Sequence, residues 1–278
     1  MPSGESSSAQ STAAPGAAMP SGGAPIVGRG VTKRFPARGR PFTAIEDVSF
    51  SIRGGEFVSL IGPSGCGKST LMLIVAGLQP TTGGDILVGD RRLTAPLTDV
   101  GIVFQDHLLL EFRTALDKIL LQPQIRGMAM DAARQRAATL MDKLGIADAA
   151  DRYPHQLSGG MRQRVSIARS LIHDPSLLLM DEPFGALDAI TRTQIRHDLE
   201  LLWLETRKTV LFITHSVEEA VGLSDRVLVM SPHPGRIVEE IAIDLPRPRP
   251  AHLGEYPTFN AYAERIHDAF RRLGVIKY

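Results

Sequence analysis

The segment GPSGCGKST, residues 62–70, matches the pattern G-x-x-x-x-G-K-[ST] at every fixed position. Gly62, Gly65 and Gly67 let the backbone wrap an anion with its N–H groups turned inward; Lys68 adds a point charge and Ser69 a hydroxyl for a divalent cation. The chemistry open to this segment is a grip on the β- and γ-phosphates of a nucleotide. Cys66 fills a position within it, and its thiol is given no chemical role. A second candidate pair closes the apolar run LLLMDEP, where Asp181 suits a Mg²⁺ shell and Glu182 suits polarising an attacking water. A third candidate is LSGGMRQR, in which Ser158, Gly159 and Gly160 stand directly before a helical pattern. That arrangement offers backbone donors and a helix dipole to a phosphate, although in isolation it also reads as a glycine turn without a ligand.

Elements must bring these residues together. Val48, Phe50 and Ile52 alternate with polar neighbours as in a half-buried strand, and EFVSLIG is a short apolar run entering the glycine-rich loop. KSTLMLIVAGL then predicts a helix opening at Lys68. VGIVF, SLLLM, TVLFI and RVLVM predict further buried strands. Between the first two of these, Ala133, Ala137, Leu140, Met141 and Leu144 share one helical face. Strands bracketing a helical insertion predict an α/β nucleotide domain carrying a helical subdomain at about 106–172.

The 278 residues carry 31 basic and 30 acidic side chains, a net charge of +1 that gives no global nucleic-acid footprint. One cysteine, Cys66, excludes an internal disulfide. No apolar run is long enough to span a bilayer, so the chain reads as soluble. Residues 1–25 are mostly Ser, Ala, Gly and Pro with one charged side chain and predict a disordered tail without the basic start and apolar stretch of a signal peptide. No internal repeat appears, which implies one nucleotide module. PRPRPAHLGEYP predicts a stiff linker, and Phe259, Tyr262, Ile266, Phe270 and Leu273 then share a helical face expected to pack into a core. The resulting organisation is a tail at 1–25, a main domain at 26–245, and a linker with a terminal helix at 246–278.

The motifs in this order resemble those of the ATP-binding subunits of ABC transporters, over about residues 27–245. GPSGCGKST is similar to the Walker A segment, LSGGM to the signature and LLLMDE to Walker B. The resemblance implies a P-loop core with an antiparallel β subdomain and a helical subdomain. It implies ATP and Mg²⁺ as ligands, with Pro63, Ser64, Cys66 and Thr70 joining the glycines, Lys68 and Ser69 in the phosphate loop. Gln105 falls at the Q-loop glutamine, implied in both metal binding and catalysis; Asp188 falls on the D-loop, and His215, closing FITH, on the switch histidine beside the γ-phosphate. Phe35 falls where an adenine-stacking tyrosine is more usual. The resemblance also explains the second glycine segment: two subunits pair head to tail, and each signature caps the ATP held by its partner. Glu182 is then the catalytic base.

YPHQLSGGMRQR, LLLMDEPFGALDAITR, MSPHPGRI and LPRPR resemble the importers of nitrate, taurine and alkanesulfonates. That implies transmembrane permease partners, a periplasmic or surface solute-binding protein, no nucleic acid, and a peripheral place on the cytoplasmic face of a bacterial inner membrane. Soluble ABC ATPases of nucleic acid or ribosomes, and export or mechanical ABC subunits, share the ATP motifs. The former typically carry paired modules or long insertions, and PGRI and LPRPR separate this chain from the latter. One departure stands out: after Gln105 the chain reads DHLLLEFRT, where these importers usually have a proline and a tryptophan near Glu111 and Phe112.

Overall fold

The computed structural model describes residues 23–276 apart from 38, 40, 107, 108, 251 and 255. His107 and Leu108 of the DHLLLEFRT segment therefore lie outside the described residues, as does the predicted tail through residue 22. Ala24 is fully buried and the Gly23 N–H donates to the Arg207 carbonyl, so the packed chain starts earlier than composition suggests.

In chain order the strands and helices are β1 (Ile26–Phe35), β2 (Phe42–Ile52), β3 (Phe57–Ile61), α1 (Lys68–Val75), β4 (Gly83–Val88), β5 (Arg91–Arg92), β6 (Val100–Val103), α2 (Ala115–Ile125), α3 (Met130–Lys143), α4 (Gly159–Leu171), β7 (Leu177–Asp181), α5 (Ala189–Thr206), β8 (Thr209–Thr214), α6 (Val217–Leu223), β9 (Arg226–Met230), β10 (Ile237–Ala242) and α7 (Pro257–Arg272). One sheet is antiparallel with order β2-β1-β4-β5, and the other has order β10-β9-β3-β8-β7-β6. In the second, β9, β3, β8, β7 and β6 run parallel and β10 closes the edge antiparallel. The parallel strands are covered on both faces, which is why FVSLI, TVLFIT and RVLVM are buried at every position.

Parallel strands deliver their C-terminal ends to one edge, where open α/β sheets bind ligands. The register is Ile61 opposite Thr214, Asp181 opposite Ile213, and Val103 opposite Met180. Gly62, Gln105, Glu182 and His215 follow those ends, so four segments distant in sequence open on the same edge. On one side of the sheet α1 packs with the antiparallel sheet; on the other, Phe57, Phe184, Phe212 and Trp203 join the core of α2–α5.

The C-terminal segment is not a free linker. It is extended, as its prolines require, but Arg247 Nη1 bonds Glu200 Oε1 at 2.7 Å and Arg247 Nη2 bonds Asp225 Oδ1 at 2.9 Å. The Arg249 side chain is buried and donates to the Val221 carbonyl at 2.6 Å, while its backbone N–H reaches Glu200 Oε2 at 2.9 Å. Alternating Pro-Arg thus makes a strap across α5 and α6. Beyond it Phe259, Ile266 and Phe270 of α7 are buried against α6 and β10, with Tyr262 and Leu273 partly buried. The stripe is core, as its spacing predicts.

Candidate active site

β3 ends in the glycine-rich loop, and two of its glycines are required by geometry. Gly67 has φ 99°, and a Cβ there would meet Ile45 and the Ala44 carbonyl of β2. Gly62 lies where a Cβ would sit 3.0 Å from that of Met230. Gly65, at φ 76°, faces open space, so the loop mouth is clear. Lys68 opens α1 and folds back beneath the loop, its Nζ donating to the Gly62 carbonyl at 2.9 Å and the Pro63 carbonyl at 3.0 Å. That holds the Lys68 side chain buried under a glycine-rich turn of the kind whose backbone N–H groups can bind an anion. Cys66 is buried in the same turn, and burial pushes its thiol up against the pull of Lys68. It is the loop's apolar floor.

Asp181 is half-buried at the end of β7. Burial pushes its carboxyl up, opposed by a hydrogen bond with the Ser69 side chain; the Glu182 charge adds to the rise and Lys68 works against it. A carboxylate and a hydroxyl in contact are hard oxygen donors that fit Mg²⁺, which takes one or two protein ligands and completes its shell with substrate phosphate and water. Among the described residues no cluster of three His, Cys, Asp or Glu could hold a metal ion. Gln105 is exposed just past β6, the strand that neighbours β7 with its Asp181.

Glu182 adopts φ 44°, a left-handed conformation that costs a non-glycine residue about 1–3 kcal/mol. Its N–H is held by the Ile213 carbonyl at 2.9 Å, and its Oε2 lies 3.0 Å from His215 Nδ1. The strained turn re-aims the carboxylate from the sheet toward the loop after β8. The base of that loop is braced: Thr214 Oγ1 donates to Glu219 Oε2 at 2.5 Å and accepts from the Ser216 N–H at 2.9 Å. Burial pushes the Glu219 carboxyl up, with the Thr214 bond opposing. A fixed carboxylate and an exposed imidazole at the mouth of a phosphate cradle can polarise a water and hold a γ-phosphate.

The remaining candidates lie elsewhere. Ser158 caps α4, its Oγ accepting from the Met161 N–H at 3.2 Å, and Asp188 caps α5, its Oδ1 accepting from the Thr191 N–H at 3.0 Å. That hydrogen bond holds the Asp188 carboxyl below the usual range. Gly160 packs so closely on Thr191 that no Cβ fits, which joins the two helix starts into one unit. Among the described residues no hydrogen bond ties this unit to the phosphate loop. Phe35 ends β1 half-buried, with Lys33 Nζ 5.0 Å from its ring centroid.

Two features of the site escaped the sequence reading. The strain at Glu182 has no signature in residue type. The loop carrying MSPHPGRI packs on the cradle: Gly235 lies against the Cys66 carbonyl, and its N–H donates to the Ala44 carbonyl at 3.0 Å. An SPHPG turn after a buried strand is the signal that could have found it.

A family model described as ABC transporter matches residues 45–185. The taurine import ATP-binding protein of Rhizobium johnstonii is 46% identical over 214 residues, 77% of this chain and 82% of that protein. The aliphatic sulfonates import ATP-binding protein of Albidiferax ferrireducens is 43% identical over 227 residues, 82% of this chain and 77% of its own length. Among solved structures, a dimeric bacterial ABC transporter cassette superposes with a TM-score of 0.71 at 32% identity, covering 79% of this chain and 99% of that one. A post-hydrolysis state of the same cassette, bound to ADP and Pi, matches with the same TM-score at 31% identity over the same shares of the two chains.

Proposed function

The chain belongs to the ABC transporter family, and on that premise we propose that it is the ATP-hydrolysing subunit of an importer for small organic sulfonates such as taurine, or for nitrate. The observation that carries the hydrolytic part is the joint placement of Lys68, the Ser69–Asp181 contact and the Glu182–His215 pair at one sheet edge. The names of relatives at 43–46% identity support the import of taurine and sulfonates.

In this reading Gly62–Thr70 binds the β- and γ-phosphates of ATP, while Ser69, Asp181 and Gln105 hold a Mg²⁺ that screens their charge. Glu182 is the general base, and His215 steadies both Glu182 and the γ-phosphate. Phe35 stacks on the adenine. Two copies pair head to tail, so that Ser158, Gly159, Gly160 and Asp188 of one complete the nucleotide site of the other. The exposed Ile190, beside Asp188, suits burial in that contact. Permease subunits dock in the groove of about 610 Å³ whose lining includes Leu78, Phe104, Leu121 and Ile125, next to Gln105. The chain sits peripherally on the cytoplasmic face of the membrane, and a solute-binding protein delivers the cargo. Among the described residues no helix is long and apolar enough to cross a membrane.

Deleting the gene and measuring growth on taurine, alkanesulfonates or nitrate as sole sulfur or nitrogen source tests the cargo. Loss of growth on one class is expected. Unchanged uptake of all of them, with no redundant importer expressed, removes the cargo assignment and leaves the ATPase.

A further inference from the structure

The turn between β9 and β10 has a place in the architecture that the ATPase reading does not use. The Ser231 side chain organises it, accepting from the Arg236 N–H at 3.0 Å and donating within the turn to the Pro234 carbonyl at 3.2 Å. Gly235 ties it to two walls of the nucleotide site. It presses on the Cys66 carbonyl of the phosphate loop, where no Cβ fits. Its own carbonyl accepts from the Glu46 N–H of β2 at 3.0 Å, and Arg236 Nη2 bonds Glu46 Oε2 at 2.5 Å.

Two residues upstream, His233 stacks on Phe42 with ring centroids 4.3 Å apart and planes 9° from parallel. Phe42 is 48% exposed, too open to be explained as core. It stands directly opposite Phe35 in the β1–β2 register, and opposite residues of an antiparallel pair share a face of the sheet. Phe35 already has the Lys33 ammonium over its ring, itself held by the Pro80 carbonyl at 2.7 Å. Each aromatic is therefore braced by a neighbour, Phe35 by a cation and Phe42 by an imidazole.

We propose that the Phe42–His233 stack is a second aromatic wall of the base pocket, that it selects a purine over a pyrimidine, and that His233 is the positioning residue that fixes its orientation. The inference rests on the ATPase reading for the identity of the ligand. A purine offers a larger stacking face than a pyrimidine, and a two-ring wall with a fixed orientation converts that difference into affinity. Anchoring the turn to Cys66 sets the wall's distance from the phosphates, which makes the selection depend on the whole nucleotide.

The test uses the purified full-length protein. In His233→Ala the KM for ATP rises about 3- to 10-fold while kcat at saturating ATP stays within twofold, and the ATP-over-CTP preference falls by the same factor. His233→Tyr restores the ATP KM to within about twofold, because the stack and not the imidazole is required. Inhibition by inorganic tripolyphosphate, which has no base, stays unchanged in both variants. In Phe42→Trp the new indole fluorescence is quenched by ATP and untouched by tripolyphosphate, a readout independent of turnover. An unaltered ATP KM in His233→Ala, or ATP KM and tripolyphosphate inhibition worsening together, overturns the proposal while leaving the ATPase standing. Absence of hydrolysis by the wild type overturns the ATPase reading instead, and the fluorescence quench in Phe42→Trp then decides the base wall alone.

Discussion

Around Lys68 the chain finishes what it starts. The ammonium has two carbonyls, Asp181 has Ser69, Glu182 has His215, and Thr214 and Glu219 brace the loop behind them. At the starts of α4 and α5 the side chains cap their own helices, and the surface beyond them includes Ile190 at 85% exposure. The contrast is between a half closed within one chain, catalytic in the proposed function, and a half that faces outward, which in the same proposal caps a partner's phosphate. Capping leaves Ser158 and Asp188 in defined rotamers and takes up the Met161 and Thr191 N–H groups rather than those of Gly159 and Gly160 at the tip of α4, so the second half is preformed. In the proposed head-to-tail pair, the second copy brings the phosphate that these helix starts would cap.

The largest expected effect lies in the closed half. Glu182→Gln keeps the shape and removes the base, so hydrolysis falls about 10²- to 10⁴-fold, or about 3–5 kcal/mol of barrier, while ATP binding is retained. Phosphate release and equilibrium ATP binding on the same sample check it; near-wild-type turnover takes Glu182 out of the mechanism.

The next largest effect decides whether the open half belongs to another chain. Ser158→Arg and Lys68→Ala, each inactive alone, are expected to regain part of the activity when mixed, since one composite site per heterodimer keeps both intact parts. Disulfide trapping is the sharper assay. Gly62 is unsuitable for it because a Cβ there meets Cys66 and Met230, whereas Ser64 is exposed and a Cβ at Gly159 meets only Leu187, at 3.8 Å. Ser64→Cys with Gly159→Cys is expected to crosslink between chains in the presence of ATP. Burial of Cys66 and its raised thiol keep the native cysteine out of the reaction. Crosslinks confined to single chains break the comparison.

How much of this was legible in the sequence follows the same division. The phosphate loop, Asp181, Glu182 and His215 are readable because each follows an apolar run that must be a buried strand, and parallel strands bring their ends to one edge. Phe42 and His233, far apart in the chain, meet through a β-bridge between Ile45 and Gly235 that no local pattern announces. The Pro-Arg segment reads as a linker from its sequence because proline stiffness is local, whereas the Glu200 and Asp225 partners of its arginines are a tertiary fact. In the open half, sequence and fold supply the helix starts but not their ligand, so that part was readable by resemblance alone.

A smaller effect tests what holds the closed half rigid. The strap fastens α6, which begins two residues after His215, to α5 through Glu200. Arg247→Ala removes charged hydrogen bonds to Glu200 and Asp225 but leaves Glu200 its bond from the Arg249 N–H. The cost is therefore about 1.5–3 kcal/mol, a fall of roughly 3–10 °C in Tm. Thermal unfolding checks it, and an unchanged Tm means the strap does not brace α6.

The smallest expected effect lies in the groove near Gln105, away from both helix starts. His173 lines it with both ring nitrogens buried, and burial, aided by Arg126, lowers its pKa from 6.5 to about 4. The Val100 backbone and the nearby Asp99 pull the other way, Arg136 adds to the lowering, and Arg169 lines the same groove. Because the folded-state value is depressed, the unfolded chain takes up a proton between about pH 6.5 and 4 that the folded chain refuses. Stability from this residue is complete above pH 7 and is lost as the pH falls through that window. His173→Leu removes the titration while keeping the groove apolar. The variant is expected to match the wild type in urea midpoint near pH 7.5 and to exceed it increasingly toward pH 5. Parallel curves across that range place the His173 pKa at its unfolded value and the ring in contact with water.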